Sequence, residues 1–315
     1  MTINEQIGRS PLCARIARQK WWPYLLMSLG VFFLATDVIV GRLAEGRDVP
    51  PLGLGFWRVM GPAILLTPFY GRELYIKYAV VVRHWKVLSI LGFCMSVLGG
   101  SAVYLGVSMT TAMNGGVVMT SQTAVMAFMG WLFFRDQIVT RQGIGLLIAA
   151  AGVLVVVARG DAAILLGMRP HFGDLLVFAA VVGYSAYVVL LRLTPSDLSP
   201  FARLCAVSWF GAAFAAPLYV WEILYVEPFP YTLDSVAMIL WISVAVSVLA
   251  VGFMTIGTLA VGSYVSSMFF YVRTVFIAAL AILVLGESVA LYHVTGVILI
   301  FAGIYLMTGR RQRTV

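Results

Sequence analysis

The chain has 315 residues, of which 62% are hydrophobic and only 11% charged, about half the charge of a soluble globular domain. That composition excludes a soluble enzyme or a nucleic-acid-binding domain, and the formal net charge of +8 has to be read by position rather than by sum. Cys13, Cys94 and Cys205 are far apart with no CxxC pair, and His84, His171 and His293 are equally scattered, so neither a disulfide framework, a metal site nor any other cofactor is expected.

Residues 1–21 are basic and polar and read as an N-terminal segment. The apolar run that begins near Trp22 is long enough to span a bilayer, and no small-residue cleavage site comes after it, so it reads as a retained first helix. Further spans start near Leu52, Trp85, Thr110 and Val139, completing a first unit over 22–158. After a linker over 159–172, spans start near Gly173, Phe201, Ser235, Gly262 and Val289, filling a second unit over 173–308 and leaving 309–315 as a tail. The expectation is an all-α membrane protein of ten transmembrane helices, arranged as two five-helix repeats.

Charge position sets the orientation. With the N-terminus cytoplasmic, fifteen Arg and Lys residues fall in inside segments, among them Arg72, Lys77, Arg83, Arg192, Arg203 and Arg310, against four outside, Arg42, Arg47, Arg159 and Arg169. Both termini are therefore expected on the cytoplasmic side of the cell (inner) membrane. The segment EILYVEPFPYTLD, outside by this count, carries acids and no base.

The two units repeat each other. The stretch beginning YLGVSMTTAMN at Tyr104 aligns without a gap on that beginning TIGTLAVGSYV at Thr255, laying Gly106 on Gly257, Asp136 on Glu287, Gly145 on Gly296, Gly152 on Gly303 and Arg159 on Arg310. Upstream, Pro51 and Pro68 match Pro200 and Pro217 at the same internal spacing. Five spans per unit is odd, so the repeats are inverted relative to each other, an arrangement that lets two near-equivalent halves exchange states around a central site.

The duplicated unit, FWRVMGPAILLTP at the second helix, and FFRDQIVTRQGIGLLIAAAGVLVV with its counterpart LVLGESVALYHVTGVILIFAGIYLM resemble the EamA unit of the drug/metabolite transporter superfamily. The resemblance covers nearly the whole chain. It implies a transporter of small metabolites, an acidic residue after the fourth or ninth helix, a central cavity lined by those helices, and fifth and tenth helices at the periphery. Asp136 stands where Glu is commoner in that family.

Polar residues at bilayer depth are the candidate site. Gln122 falls near the midplane of the fourth helix, and the repeat register sets it opposite Arg273 of the ninth. An arginine facing lipid there costs about 2.5 to 3.5 kcal/mol even on the lenient insertion scale, so Arg273 needs a hydrated cavity or a partner. Its planar, permanently charged guanidinium suits a carboxylate or phosphate. Gln122, Arg273 and neighbouring Asn114 and Ser266 are expected to contact substrate. Tyr184 and Tyr187, about one turn apart in VVGYSAYVVL, are candidates for an aromatic wall. Asp37 and Arg58 lie at similar depth in the first two helices and are expected to pair as a structural or gating contact, with direct substrate contact the alternative.

The fifth and tenth helices are nearly free of polar side chains and rich in small residues, which suits close packing within the chain or a homodimer contact. No nucleotide-binding fingerprint appears, so transport is expected to be secondary, with the bilayer and an anionic or zwitterionic small molecule as partners. Export of an amino acid or related carboxylate is the first expectation. An uptake carrier for a flavin-like or S-adenosylmethionine-like metabolite is the alternative. A membrane-embedded enzyme would need converging nucleophile and base groups, which the sequence does not offer, and a channel is the remaining rival class.

Overall fold

A computed structural model of the chain describes residues 21–45, 48–109, 118–119, 121–135, 140–157, 172–195, 197–285 and 291–308. Among these residues ten long helical segments run in chain order. They are α1 (Trp22–Glu45), α2 (Pro51–Ile76), α3 (Trp85–Phe93, Cys94–Ser101 and Ala102–Met109 in continuous succession), α4 (Gln122–Phe134), α5 (Thr140–Val157), α6 (Phe172–Leu190), α7 (Pro200–Tyr225), α8 (Leu233–Trp241, Ile242–Ala250 and Val251–Val261), α9 (Ser263–Leu285) and α10 (Leu291–Thr308). A one-and-a-half-turn helix, Tyr78–Arg83, joins α2 to α3. Six of these segments are long and apolar enough to cross a membrane on their own, and shorter apolar helices lie within α5, α9 and α10. Large apolar side chains such as Phe69, Leu147, Leu224 and Leu283 cover the outside, as a bilayer solvent requires.

The repeat in the sequence is a repeat in the packing. Helix α1 packs on α9 as α6 packs on α4; α3 packs on α6 as α8 packs on α1; and α2 meets α8 as α7 meets α3. Three pairs are their own counterparts, α2 with α7, α4 with α9 and α5 with α10. Exchanging the repeats therefore carries these pairings onto one another, as a pseudo-two-fold axis relating the two halves requires.

Each repeat also interrupts its third helix in the same way. Cys94–Ser101 in α3 and Ile242–Ala250 in α8 are wound as π-helix. The 151-residue offset that lays Gly106 on Gly257 carries the first onto 245–252, overlapping the second. Both stretches intersperse small residues among aliphatic ones (CMSVLGGS and ISVAVSVLA). In α3 the consequence is close approach: a Cβ on Gly99 would lie 2.6 Å from the Tyr184 ring, so only glycine lets α6 bring that ring against the π segment.

Helices α2 and α7 begin alike, with Pro51 and Pro200 in the first turn, where a missing N–H costs nothing. Deeper in, Pro68 and Pro217 correspond, and α2 holds a further proline at Pro62. The main core cluster lies between α2, α3, α6 and α7 around Leu88, Leu91, Val189, Leu204 and Val207. Helices α5 and α10 use their small residues on each other: a Cβ on Gly303 would lie 2.6 Å from the Gly145 carbonyl oxygen.

Candidate substrate site

Five polar side chains from α1, α2, α3, α6 and α9 converge inside the bundle. Arg58 of α2 and Asp37 of α1 are only 3% and 6% exposed and form an ion pair, Arg58 Nη1 donating to Asp37 Oδ2. Tyr104 of α3 closes the group: its hydroxyl donates to Asp37 Oδ1 at 2.8 Å and accepts from Arg58 Nη1 at 3.2 Å. Both carboxylate oxygens are thus engaged. The Arg58 guanidinium also stands 5.5 Å from the centre of the Tyr184 ring, a cation–π contact from α6.

Arg273 of α9 belongs to the same group. Its guanidinium interacts electrostatically with Asp37, Arg58, Tyr184 and Tyr104. Among the described residues it forms no ion pair, and its Nε is buried without a hydrogen-bond partner. The side chain is only partly covered, unlike Arg58. The Tyr184 hydroxyl and Arg58 Nε are likewise buried without partners among the described residues. Two guanidinium charges thus share the influence of one carboxylate, and Arg58 Nε, Arg273 Nε and the Tyr184 hydroxyl are left unused. Such a place is electrostatically incomplete, because a buried cation without an anion is costly. A carboxylate or phosphate would take up the surplus charge and the free N–H groups.

The other residues singled out by sequence are distributed unevenly. Gln122 opens the described part of α4 and is 5% exposed, and its backbone oxygen accepts from Ser185 Oγ of α6 at 3.3 Å. Asn114 lies outside the described residues, as do Asp136 and Glu287. Ser266 is buried at the start of α9, where its hydroxyl donates to Gly262 O of its own helix at 3.0 Å and lies 3.4 Å from Met27 Sδ. It is used for helix packing on α1. Tyr187 parts company with Tyr184: it is buried in the main core cluster beside Arg203 and Thr255.

Two charges that the sequence assigns to surface segments are interior. Arg203, in the first turn of α7, is 4% exposed, with Nη1 donating to Thr194 Oγ1 at 2.9 Å and Nε unpartnered. Glu222, near the end of α7, is 2% exposed and accepts from two backbone amides of α2. Glu222 is thus a second buried carboxylate in addition to Asp37. Glu222 carries a sequence signal, since it stands at the same distance from Pro200 as Glu73 does from Pro51. Arg203 carries none beyond its place three residues after Pro200.

Comparison with known proteins fits this architecture. The EamA-like transporter family model matches twice, over residues 21–158 and 171–309. The uncharacterized transporter YetK of Bacillus subtilis is 23% identical over 303 residues, covering 95% of this chain and 90% of that protein. An uncharacterized transporter of Archaeoglobus fulgidus is 23% identical, covering 92% and 98%. A WAT1-related protein of Arabidopsis thaliana is 27% identical over 228 residues, covering 61% of this chain and 58% of its own. A protein crystal structure superposes with a TM-score of 0.63 at 17% identity, covering 89% of this chain and 96% of that one, and so shares the fold. With both halves matched and the pseudo-symmetric ten-helix bundle in place, the chain belongs to the EamA-like transporter family, a multi-pass membrane transporter of the drug/metabolite transporter superfamily.

Proposed function

We propose that the protein is a secondary transporter that exports an amino acid or a related carboxylate-bearing metabolite across the cytoplasmic membrane by alternating access, with both termini cytoplasmic. The observation that carries this reading is the surplus guanidinium of Arg273 beside the closed Asp37–Arg58–Tyr104 network. The substrate carboxylate pairs with Arg273, while the Tyr184 ring and hydroxyl and Gln122 bound the rest of the molecule. Asp37 has both oxygens committed to Arg58 and Tyr104, so it serves as an ion-pair partner rather than a mobile proton carrier. Transport then runs down the substrate gradient or against an exchanged solute.

The test is a thermal-shift screen of purified protein against amino acids, dicarboxylates, flavins, nucleotides and neutral sugars, beside an Arg273→Leu variant. A carboxylate that stabilises the wild type and not the variant supports the reading. Stabilisation only by neutral sugars, or equally in both proteins, overturns it.

A further inference from the structure

The central α2–α7 pair is fastened at both ends by the same device used in opposite directions. At one face, Glu222 near the end of α7 reaches across to the start of α2: Oε1 accepts from Leu52 N at 2.9 Å and Oε2 from Gly53 N at 2.6 Å. The N-cap of α2 is Pro50, whose side chain caps nothing, and Pro51 has no N–H, so these two amides would be orphans without Glu222. At the other face, Glu73 near the end of α2 reaches the start of α7: Oε1 accepts from Ser199 N at 2.9 Å and Oε2 from Ser199 Oγ at 2.7 Å. Ser199 is the N-cap of α7, and its hydroxyl oxygen also accepts from Ala202 N at 3.3 Å. Lys77 Nζ braces this end, donating to Glu73 at 2.8 Å and also to the Asp197 carbonyl oxygen.

The two glutamates are repeat equivalents, because the offset that lays Pro51 on Pro200 lays Glu73 on Glu222. Each contact is made between repeats, and each sits at one end of the α2–α7 pair, with Arg58 about two turns into α2 from the end that Glu222 holds. An anion at a helix N-terminus also gains from the helix dipole, so each carboxylate is held by charge as well as by hydrogen bonds. Exposing a midplane site to one face requires the repeats to part at that face while they stay joined at the other. Contacts between repeats, one per face and independent of each other, are what such a cycle needs.

We propose that Glu222 and Glu73 are reciprocal gating residues: release of Glu222 from the start of α2 opens the site to its face, and release of Glu73 from the start of α7 opens it to the other. They act through the helices they fasten and do not touch substrate. The proposal rests on the transporter reading but on neither the substrate class nor the membrane orientation.

The experiment measures sidedness. A cysteine is placed at Ser101, a buried side chain beside the Arg58 region whose hydroxyl has no partner, in a background with Cys13, Cys94 and Cys205 replaced by alanine. Its labelling by a membrane-impermeant cationic methanethiosulfonate is timed from each face of reconstituted vesicles. Glu222→Gln keeps the side-chain shape and loses the charge; it raises the ratio of rates, Glu222 face over Glu73 face, about tenfold, the loss of one charge-assisted hydrogen bond. Glu73→Gln lowers the same ratio by about as much. If a Gln variant does not purify folded, the Asp variant, which keeps the charge and loses the reach, takes its place with the same sign. A ratio unmoved by either change, or moved in the same direction by both, overturns the proposal and leaves the glutamates as static fasteners. Because labelling needs no substrate, its outcome is separate from the carboxylate screen.

Discussion

Asp37→Asn is predicted to cost more than Arg58→Met, although the two residues share one ion pair. Removing the carboxylate leaves Arg58 buried and Arg273 beside it, two like charges with no counter-ion among the described residues of the cluster. Removing one partner of a buried pair costs about 3–5 kcal/mol, and the Asp37 change sits at the upper end because it strands a second cation as well. Arg58→Met leaves Asp37 with the Tyr104 hydroxyl at 2.8 Å and with Arg273 in electrostatic reach, so the cost falls to about 1–3 kcal/mol. The double variant Asp37→Asn/Arg58→Met removes one charge of each sign and is predicted to be more stable than Asp37→Asn alone. Thermal unfolding in detergent measures this. At about 2 °C per kcal/mol for a chain of this size, Asp37→Asn lowers the apparent Tm by about 8–10 °C, and the double variant recovers part of the loss. Equal losses in the two single variants, or a double variant whose loss is their sum, would refute the shared-cluster reasoning.

Other substitutions test the packing and the coupling. Gly61→Ala would bring a Cβ within 1.8 Å of Ser243 Oγ and 2.3 Å of its Cβ, so the helix-propensity gain of about 1 kcal/mol is outweighed and a net loss of about 1–2 kcal/mol is expected in the same melt. Ser266→Ala removes a bond to its own helix and should leave both Tm (within about 1 °C) and transport rate unchanged; a several-fold loss of transport would return Ser266 to the substrate site. Substrate counterflow should be indifferent to an imposed pH gradient, because Asp37 is held by Arg58 and Tyr104; strict dependence on the gradient, lost in Asp37→Asn, would contradict that.

The helices are legible in the sequence because a bilayer demands long apolar runs and their ends fall at prolines, glycines and charges. Helix starts expected near Trp22, Trp85, Val139, Gly173 and Gly262 lie within one residue of those observed. The repeat is legible because glycines at helix crossings, such as Gly106 against α6 and Gly257 against α1, cannot vary freely. Depth is legible too, which is why Asp37 can be matched with Arg58. Azimuth is not. Tyr184 and Tyr187 share a helix face, yet one meets Arg58 and the other the Arg203 region, since the surroundings of a helix change along its length. Each π segment adds a residue to a turn and swings the remainder of its helix by about 100°, a shift that periodicity does not reveal. Arg203 and Glu222 read as loop charges because counting by segment ignores a side chain's reach into the bundle. Ser266, expected at the site as a neighbouring polar residue, lies at the start of α9, where its hydroxyl is 3.4 Å from Met27 Sδ, a contact that its sequence position does not reveal.

The most direct test of the substrate site is solute counterflow in proteoliposomes, comparing the carboxylate found in the screen with its neutral amide. Wild-type protein is predicted to favour the carboxylate by about tenfold to a hundredfold, the worth of a charge-assisted hydrogen bond, and Arg273→Leu to lose that preference while still folding. Preference for the carboxylate that survives intact in Arg273→Leu would contradict the placement of the substrate anion on Arg273.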